Sequence, residues 1–337
     1  MTTAVDPDPV SRGTVRWGIL ATGGVARLFA RDLRTHGHRV TAVGSRTLAG
    51  ARSFAEQFGI PRAHGSYDEL VADPEVDVVY VATTHDRHAE NAQAALAQGK
   101  HVLVEKPFTV NAAQAQQVVD LGRRRGLLVM EAMWTRFLPH MRFVREAVAA
   151  GRIGEVRSLH ADHTQLLPSD PSHRLNDPRR GGGALLDLGV YPLSLAHDLL
   201  GVPDEVTAVG ELAATGVDAS VATILRHDRG ALSTSFSSMR TRGPNRAVVL
   251  GTSGRLEIAP VWYAPTEVEV RDHRGEVVDR FDAPVSGRGM QYQATEVERL
   301  IEDGEVASPL MSPGESVAVM ATLDRVRAAI GLRYPGE

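Results

Sequence analysis

Short apolar runs alternate with longer mixed segments along the first third of the chain. The runs cover residues 15–20, 40–44, 76–82, 102–104 and 127–130, rich in Val and Ile at consecutive positions. Consecutive apolar residues suit strands covered on both faces, not strands with one face in water. Between them, 25–35, 49–58, 88–98 and 112–125 carry apolar residues at spacings compatible with helices. Strands alternating with helices predict a doubly wound parallel sheet. Past residue 150 the texture changes: a long helical pattern at 183–200 is followed by short runs at 206–212, 220–226, 231–236, 247–250, 267–271 and 277–281. Asp228-Arg-Gly, Thr252-Ser-Gly and Asp272-His-Arg-Gly supply turn signals between several of these runs. The second half therefore reads as an α+β domain with a large, mostly antiparallel open sheet, closed by helices at 292–302 and 315–330. The expected domains are 14–135 and 136–337, with the final helices free to pack back on the first.

Composition narrows the functional classes. A chain of 337 residues, 43% hydrophobic, is long enough for about two domains with sizeable cores. The formal charge of −4 gives no global field to hold a polyanion, so neither nucleic acid nor a membrane is expected as a partner. No apolar run approaches the roughly 18 residues of a membrane span. Residues 1–13 contain Asp6, Pro7, Asp8 and Pro9 but no apolar stretch, and read as a disordered tail, not a signal peptide. Without cysteine there is no disulfide, thiolate metal site or Cys nucleophile, and a cytoplasmic location is expected. Lys100 and Lys106 are the two lysines; every other basic residue counted is Arg. Three consecutive arginines in 122–126 read as a charged helix end stopped by glycine.

The run at 15–20 leads into Ala21-Thr-Gly-Gly-Val-Ala26 and then a helical pattern. Strand, glycine turn and helix, in that order, let backbone N–H groups and a helix N-terminus hold a pyrophosphate, the Rossmann arrangement. Against G-x-G-x-x-G/A, Ala21 takes the first position, Gly23 the second and Ala26 the third, with Thr22, Gly24 and Val25 between. The second strand ends at Val43-Gly-Ser-Arg-Thr47, where an enzyme using NAD usually has an acid for the ribose hydroxyls. Ser45 and Arg46 stand there instead, a hydroxyl and a planar cation suited to a 2′-phosphate, so NADP is expected in preference to NAD. The competing reading makes Arg46 the start of a solvated helix face.

Two further segments stand out: His101-Val-Leu-Val-Glu-Lys-Pro-Phe108 and Gly181-Gly-Gly-Ala-Leu-Leu-Asp-Leu-Gly-Val-Tyr-Pro192. Together with the glycine turn, they resemble the glucose–fructose oxidoreductase, inositol dehydrogenase and rhizopine-catabolism (Gfo/Idh/MocA) family over residues 15–330. Met130-Glu-Ala-Met-Trp-Thr-Arg-Phe-Leu-Pro139 and Arg174-Leu-Asn-Asp-Pro are most similar to its branch of dimeric dihydrodiol dehydrogenases and NADP-dependent D-xylose dehydrogenases. Ala21 departs from the family glycine, and Thr84 stands where many members have proline, although Thr83 and His88 match. The resemblance implies Tyr191 as general acid/base, Lys106 as the cation that lowers its pKa, and Asp187 as the group that orients the substrate or its partners. It places Thr83, Thr84, His88, Glu105 and Lys106 at the cofactor, and Trp134, Arg136, Phe137, Arg174 and Asn176 in the substrate pocket.

Residue chemistry agrees with these roles. Oxidising an alcohol needs a hydride acceptor and a base for the hydroxyl proton. A tyrosine, with an ordinary pKa near 10, serves as that base only when a cation stabilises its phenolate. Asp187 and Tyr191, at i and i+4, share one helix face. The structural alternatives make Tyr191 a core aromatic and Asp187 the partner of an arginine. His160 and His163 point to opposite faces of a strand, and no metal site is expected even with His173. Gly289-Met-Gln-Tyr292 places an aromatic either near the nicotinamide or in the core. The sequence thus reads as an enzyme acting on a cyclic polyol: an aldose oxidised at its anomeric carbon to a lactone, slightly ahead of a trans-dihydrodiol oxidised to a catechol. The alternative is a sensor of the same fold that binds NAD(P) or sugar without turnover. Pairing through the open sheet into a homodimer or homotetramer is expected.

Overall fold

The computed structural model describes residues 10–335, which divide into two compact units. The first comprises 10–134 and 285–317, the second 135–284 and 318–335. The first unit alternates β1 (Arg16–Leu20), α1 (Gly24–Thr35), β2 (Arg39–Gly44), α2 (Leu48–Phe58), β3 (Arg62–His64), α3 (Tyr67–Val71), β4 (Val78–Val81), α4 (His88–Ala97), β5 (His101–Glu105), α5 (Ala112–Arg125) and β6 (Val129–Ala132). Its six strands are all parallel, in the order β3-β2-β1-β4-β5-β6, the doubly wound sheet expected from the sequence. β4 and β6 are buried at every position, because helices cover both faces. Helix starts follow local chemistry: Thr47, Ser66 and Asn111 accept from the amides of Gly50, Glu69 and Gln114 at 3.2, 3.1 and 2.9 Å.

The second unit contains α6 (Pro139–Ala149), β7 (Val156–Thr164), a π-helical turn over Leu185–Gly189 that continues as α7 (Val190–Leu200), β8 (Glu205–Leu212), β9 (Asp218–Arg226), β10 (Leu232–Ser238), β11 (Ala247–Gly251), β12 (Gly254–Ile258), β13 (Val268–Asp272) and β14 (Val277–Phe281). The strands form one sheet in the order β14-β13-β12-β11-β7-β10-β9-β8, antiparallel except where β7 meets β10. The helical segment 185–200 packs on β7, β9 and β10 and covers one face. On the other face Val209, Ile224, Leu232 and Phe236 are exposed, with Phe236 opposite Ala222 and Ala222 opposite Val209.

Two elements close the chain: α8 (Met290–Glu302) groups with the first unit, and α9 (Pro313–Ala329) contributes to the second from residue 318. Asp32 on α1 accepts from the amides of Arg288 and Met290, each at 3.0 Å, and so caps α8. Of the tail expected at 1–13, residues 1–9 lie outside the described residues. Ser11 donates its amide to the His36 carbonyl at 3.0 Å and its hydroxyl to Glu298 at 2.6 Å. The apolar pattern did not single out α6, β3 or β12; β12 buries only Leu256 and Ile258, too few positions for a pattern.

Candidate active site

In the first unit, β1 ends at Ala21, which has φ +92° and donates its amide to the Gly44 carbonyl at 2.9 Å. Thr22 is half-buried, Gly23 and Gly24 are exposed, and a Cβ on either glycine would meet nothing within 4 Å. No side chain caps α1 and no acid occupies its first turn. The turn 21–26 therefore leaves an open cradle with helix N–H groups directed into it, which fits a pyrophosphate. At the end of β2, Ser45 is half-buried and Arg46 exposed. Burial raises the Tyr67 phenol above its ordinary value while the charge of Arg46 pulls it down, so the guanidinium lies near that ring.

The Glu-Lys-Pro segment is held from several sides. Tyr80 donates its hydroxyl to Glu105, which is buried, and the Phe108 amide donates to Glu131 at 3.1 Å. The Lys106–Pro107 bond is cis. His88 Nδ1 lies 2.8 Å from the Pro107 carbonyl and Nε2 3.2 Å from that of Thr83. Burial, with the charge of Lys106 adding to it, pushes His88 down to about 4, so the ring is neutral at pH 7. A neutral imidazole has one N–H, and the shorter contact assigns it to Nδ1, donating to Pro107. Asn91 donates to the Thr83 hydroxyl at 3.1 Å, while Thr83, Thr84 and Lys106 are half-buried. Trp134 is buried beneath the Arg288 guanidinium, 5.0 Å from the ring centroid, and Tyr292 on α8 is half-buried.

In the second unit, Asp187 lies in the π-helical turn and Tyr191 in the first turn of α7, both largely buried. Asp187 faces Arg174 at 3.6 Å, the arginine pairing anticipated as its structural alternative. Tyr191 is one of three packed rings. His163 stacks on Tyr263 with centroids 3.8 Å apart and planes at 25°, and presents an edge contact to Tyr191 at 4.9 Å. Tyr191 and Tyr263 are 5.4 Å apart. The Gln165 amide donates to His163 Nε2 at 2.9 Å, leaving the imidazole proton on Nδ1. Neither His163, Tyr263 nor Gln165 stood out as a companion of Tyr191 in the sequence. They come from the end of β7 and from the link between β12 and β13, and no local pattern joins those segments.

The remaining candidates take different positions. Arg136 is buried with Nε and Nη2 on the hydroxyl and carbonyl of Ser194, at 2.8 and 2.6 Å. Asn176 is buried and donates to the carbonyls of Pro168 and Asp170, each at 2.8 Å. Both are committed to bracing the protein. Phe137 is buried and Arg174 half-exposed. His160 is exposed and 2.7 Å from the Thr234 hydroxyl, whereas His163 is buried, so the two histidines do lie on opposite faces. Among the described residues no three His, Cys, Asp or Glu side chains gather as metal ligands, and no helix is long and apolar enough to cross a membrane.

Two family patterns match the chain: the oxidoreductase family with an NAD-binding Rossmann fold over residues 15–133, and the GFO/IDH/MocA C-terminal domain over 141–257. The chain belongs to the Gfo/Idh/MocA oxidoreductase family. It is similar to trans-1,2-dihydrobenzene-1,2-diol dehydrogenase of Mus musculus, 38% identical over 96% of this chain and 99% of the relative. The Homo sapiens protein of the same name is 36% identical with the same coverage. Among solved structures, aldose-aldose oxidoreductase from Caulobacter crescentus has a TM-score of 0.85 at 26% identity, covering 94% of this chain and 97% of the other. KijD10, a 3-ketoreductase from Actinomadura kijaniata in complex with NADP and TDP-benzene, has a TM-score of 0.83 at 29% identity, covering 94% and 98%. Membership of this family makes the protein an NAD(P)-dependent oxidoreductase acting on CH–OH groups.

Proposed function

We propose that this family member transfers hydride between NADP and a cyclic diol or polyol, with Tyr191 as acid/base assisted by Lys106. The observation that carries the reading is the setting of Tyr191, at the start of a buried helix beside Asp187 and walled by His163 and Tyr263. The packing of His163 and Tyr263 against Tyr191 favours a flat ring and moves the trans-dihydrodiol ahead of the aldose. The diol dehydrogenase relatives support the same order, and the Caulobacter neighbour keeps the aldose as second reading.

NADP, when bound, supplies the hydride acceptor. The turn 21–26 holds its pyrophosphate, Ser45 and Arg46 its 2′-phosphate, and Thr83, Thr84 and His88 the neighbouring edge. Glu105, fixed by Tyr80, braces the strand end rather than reaching for a ligand. Lys106 stabilises the Tyr191 phenolate and binds the reacting oxygen. The hydroxyl proton passes to that phenolate as the carbinol C–H leaves as hydride; the hydroxyketone from a dihydrodiol then tautomerises to a catechol. Asp187 orients the substrate together with Trp134, Phe137 and Arg174, while Arg136 and Asn176 support the pocket from behind. A cytoplasmic homodimer or homotetramer joined through the apolar outer sheet face completes the reading, and sedimentation as a monomer would remove that part of it.

The test is the change in nicotinamide absorbance with NADP and a panel of trans-dihydrodiols and aldoses. Tyr191→Phe and Lys106→Met should each lower turnover by about 10²–10⁴-fold. Near-normal turnover in either variant would defeat the assignment, and NADP binding without turnover on the whole panel would establish the sensor instead.

A further inference from the structure

The glycines that open the Tyr191 helix have a structural cause that the reaction does not explain. A Cβ on Gly182 would lie 2.5 Å from the Leu175 carbonyl oxygen, and the Gly182 carbonyl accepts from the Tyr334 hydroxyl at 2.6 Å. Gly183 has φ +121°, and a Cβ there would lie 2.0 Å from Oδ1 of Asp218. Asp218, the first residue of β9, is fully buried. Its Oδ2 accepts from the Leu185 amide at 2.6 Å, whereas Oδ1 has no hydrogen-bond partner among the described residues. A whole carboxylate is thus inserted at the N-terminus of the helical segment that carries Asp187 and Tyr191, through a gap that only glycine leaves.

We propose that Asp218 is a positioning residue for Tyr191, anchoring the first turn of its helix through the Leu185 amide. The proposal rests on the reading of Tyr191 as the acid/base. That turn is π-helical, with wider and weaker hydrogen bonding than an α-helix, so its end depends on an external anchor. An anion suits the positive end of a helix. Burying a carboxylate is nevertheless expensive, and a Ser or Asn would cap at less cost. The buried carboxyl offsets that cost by holding its proton more tightly than a solvated one.

Burial pushes Asp218 up to about 7, against the pull of the Leu185, Asp218 and Ala184 amides and of the Arg327 charge. Of the titratable groups on the helix it caps, Asp187 and Tyr191 stand in the first turns, and His197 and Asp198 lie about 18 Å or more further along. β10 carries none, and Glu205 and Glu211 of β8 are exposed. The buried carboxyl holds its proton up to about 7 and a carboxyl released to water does not, so the closed turn gains stability as pH falls through about 7 and loosens as pH rises.

The experiment compares wild type, Asp218→Asn, Asp218→Ala, Gly183→Ala and Tyr191→Phe from about pH 6 to about pH 8. Two signals are read: NADP-linked turnover on the best panel substrate, and amide hydrogen exchange in 184–191 corrected for intrinsic rates. In wild type, exchange in 184–191 should rise and kcat fall together as pH climbs through about 7. Asp218→Ala should lower kcat roughly tenfold to a hundredfold with KM changed far less, whereas Asp218→Asn should lose both steps and keep the low-pH turnover at every pH. It should melt no lower than wild type at pH 8, because it removes a buried charge. Gly183→Ala should reproduce the exchange pattern of Asp218→Ala. An Asp218→Asn variant with the wild-type kcat profile overturns the proposal, as does a lower melting temperature with the pH profile intact, which would make Asp218 a structural cap. If Tyr191→Phe retains turnover, the acid/base reading fails on its own, and the exchange measurement separately decides the anchor.

Discussion

In the proposed reading, the cofactor preference rests on Arg46. It is exposed at the end of β2, where no acid is present to bind ribose hydroxyls, so its guanidinium is free to meet a 2′-phosphate. Arg46→Ala should raise the Michaelis constant for NADP about ten- to a hundredfold, the loss of one or two charge-assisted hydrogen bonds, and change that for NAD little. Steady-state kinetics with both cofactors checks this, and equal effects would make Arg46 an ordinary surface residue. This position was legible in the sequence because it is tied to a strand end. Lys106 and Tyr191 were legible as candidates because they sit inside motifs. His163 and Tyr263 were not legible, since their relation to Tyr191 exists only after separate segments are brought together. Arg136 and Asn176 show the converse: polar side chains near a site by sequence, but committed to Ser194 and to the 168–170 loop.

At the level of elements, buried runs and helix caps made the parallel sheet readable, because each strand and cap is local. The missed elements lacked such signals: β3 has three residues, and α6 opens with Pro139 after a turn that masks its start. The expected helix at 183–200 is present, but its first turn is π-helical, a departure that spacing alone does not encode. The role of α8 also depends on distant partners. Glu298 on α8 accepts from Trp17 Nε1 at 2.8 Å and from Ser11 at 2.6 Å, and meets His38 Nδ1 at 2.8 Å. Burial pushes its carboxyl up, but His38, Ser11 and Trp17 together hold it below the ordinary value, so its contribution is present at neutral pH and lost as pH falls through that depressed value. Glu298→Ala, which strands buried donors, should destabilise the first unit by about 3 kcal/mol in denaturant unfolding. A cost below about 0.5 kcal/mol, typical of surface sites, would mean that α8 is held by packing alone.

For the molecule as a whole, buried histidines set the acid limit. Burial pushes His88 and His140 down to about 4 and His197 to about 3. The unfolded chain takes up these protons near pH 6.5 while the folded chain refuses them, so stability is full above that pH and falls on acidification towards 4. Asp218 acts in the opposite sense, because the folded protein holds its proton from about 7 downward while the unfolded chain does so only near 4. Three uptakes less one leave two, a slope of at least roughly 2.7 kcal/mol per pH unit around pH 5, to which His101 and His227, also pushed down by burial, add. Denaturant unfolding on either side of pH 5 measures it, and a flat profile would show that the histidines are solvated. Asp218→Asn should steepen the slope. The capping of α8 by Asp32 bears on how the protein is made. The first unit owns residues on both sides of 135–284, the larger part of the second unit, so on the ribosome its sheet emerges first but waits for α8. At ordinary translation speeds that wait lasts roughly ten to thirty seconds. Throughout it, Asp32, Trp17 and His38 have none of their α8 partners, and the nascent sheet depends on chaperones or on its own core to survive until the chain closes over it.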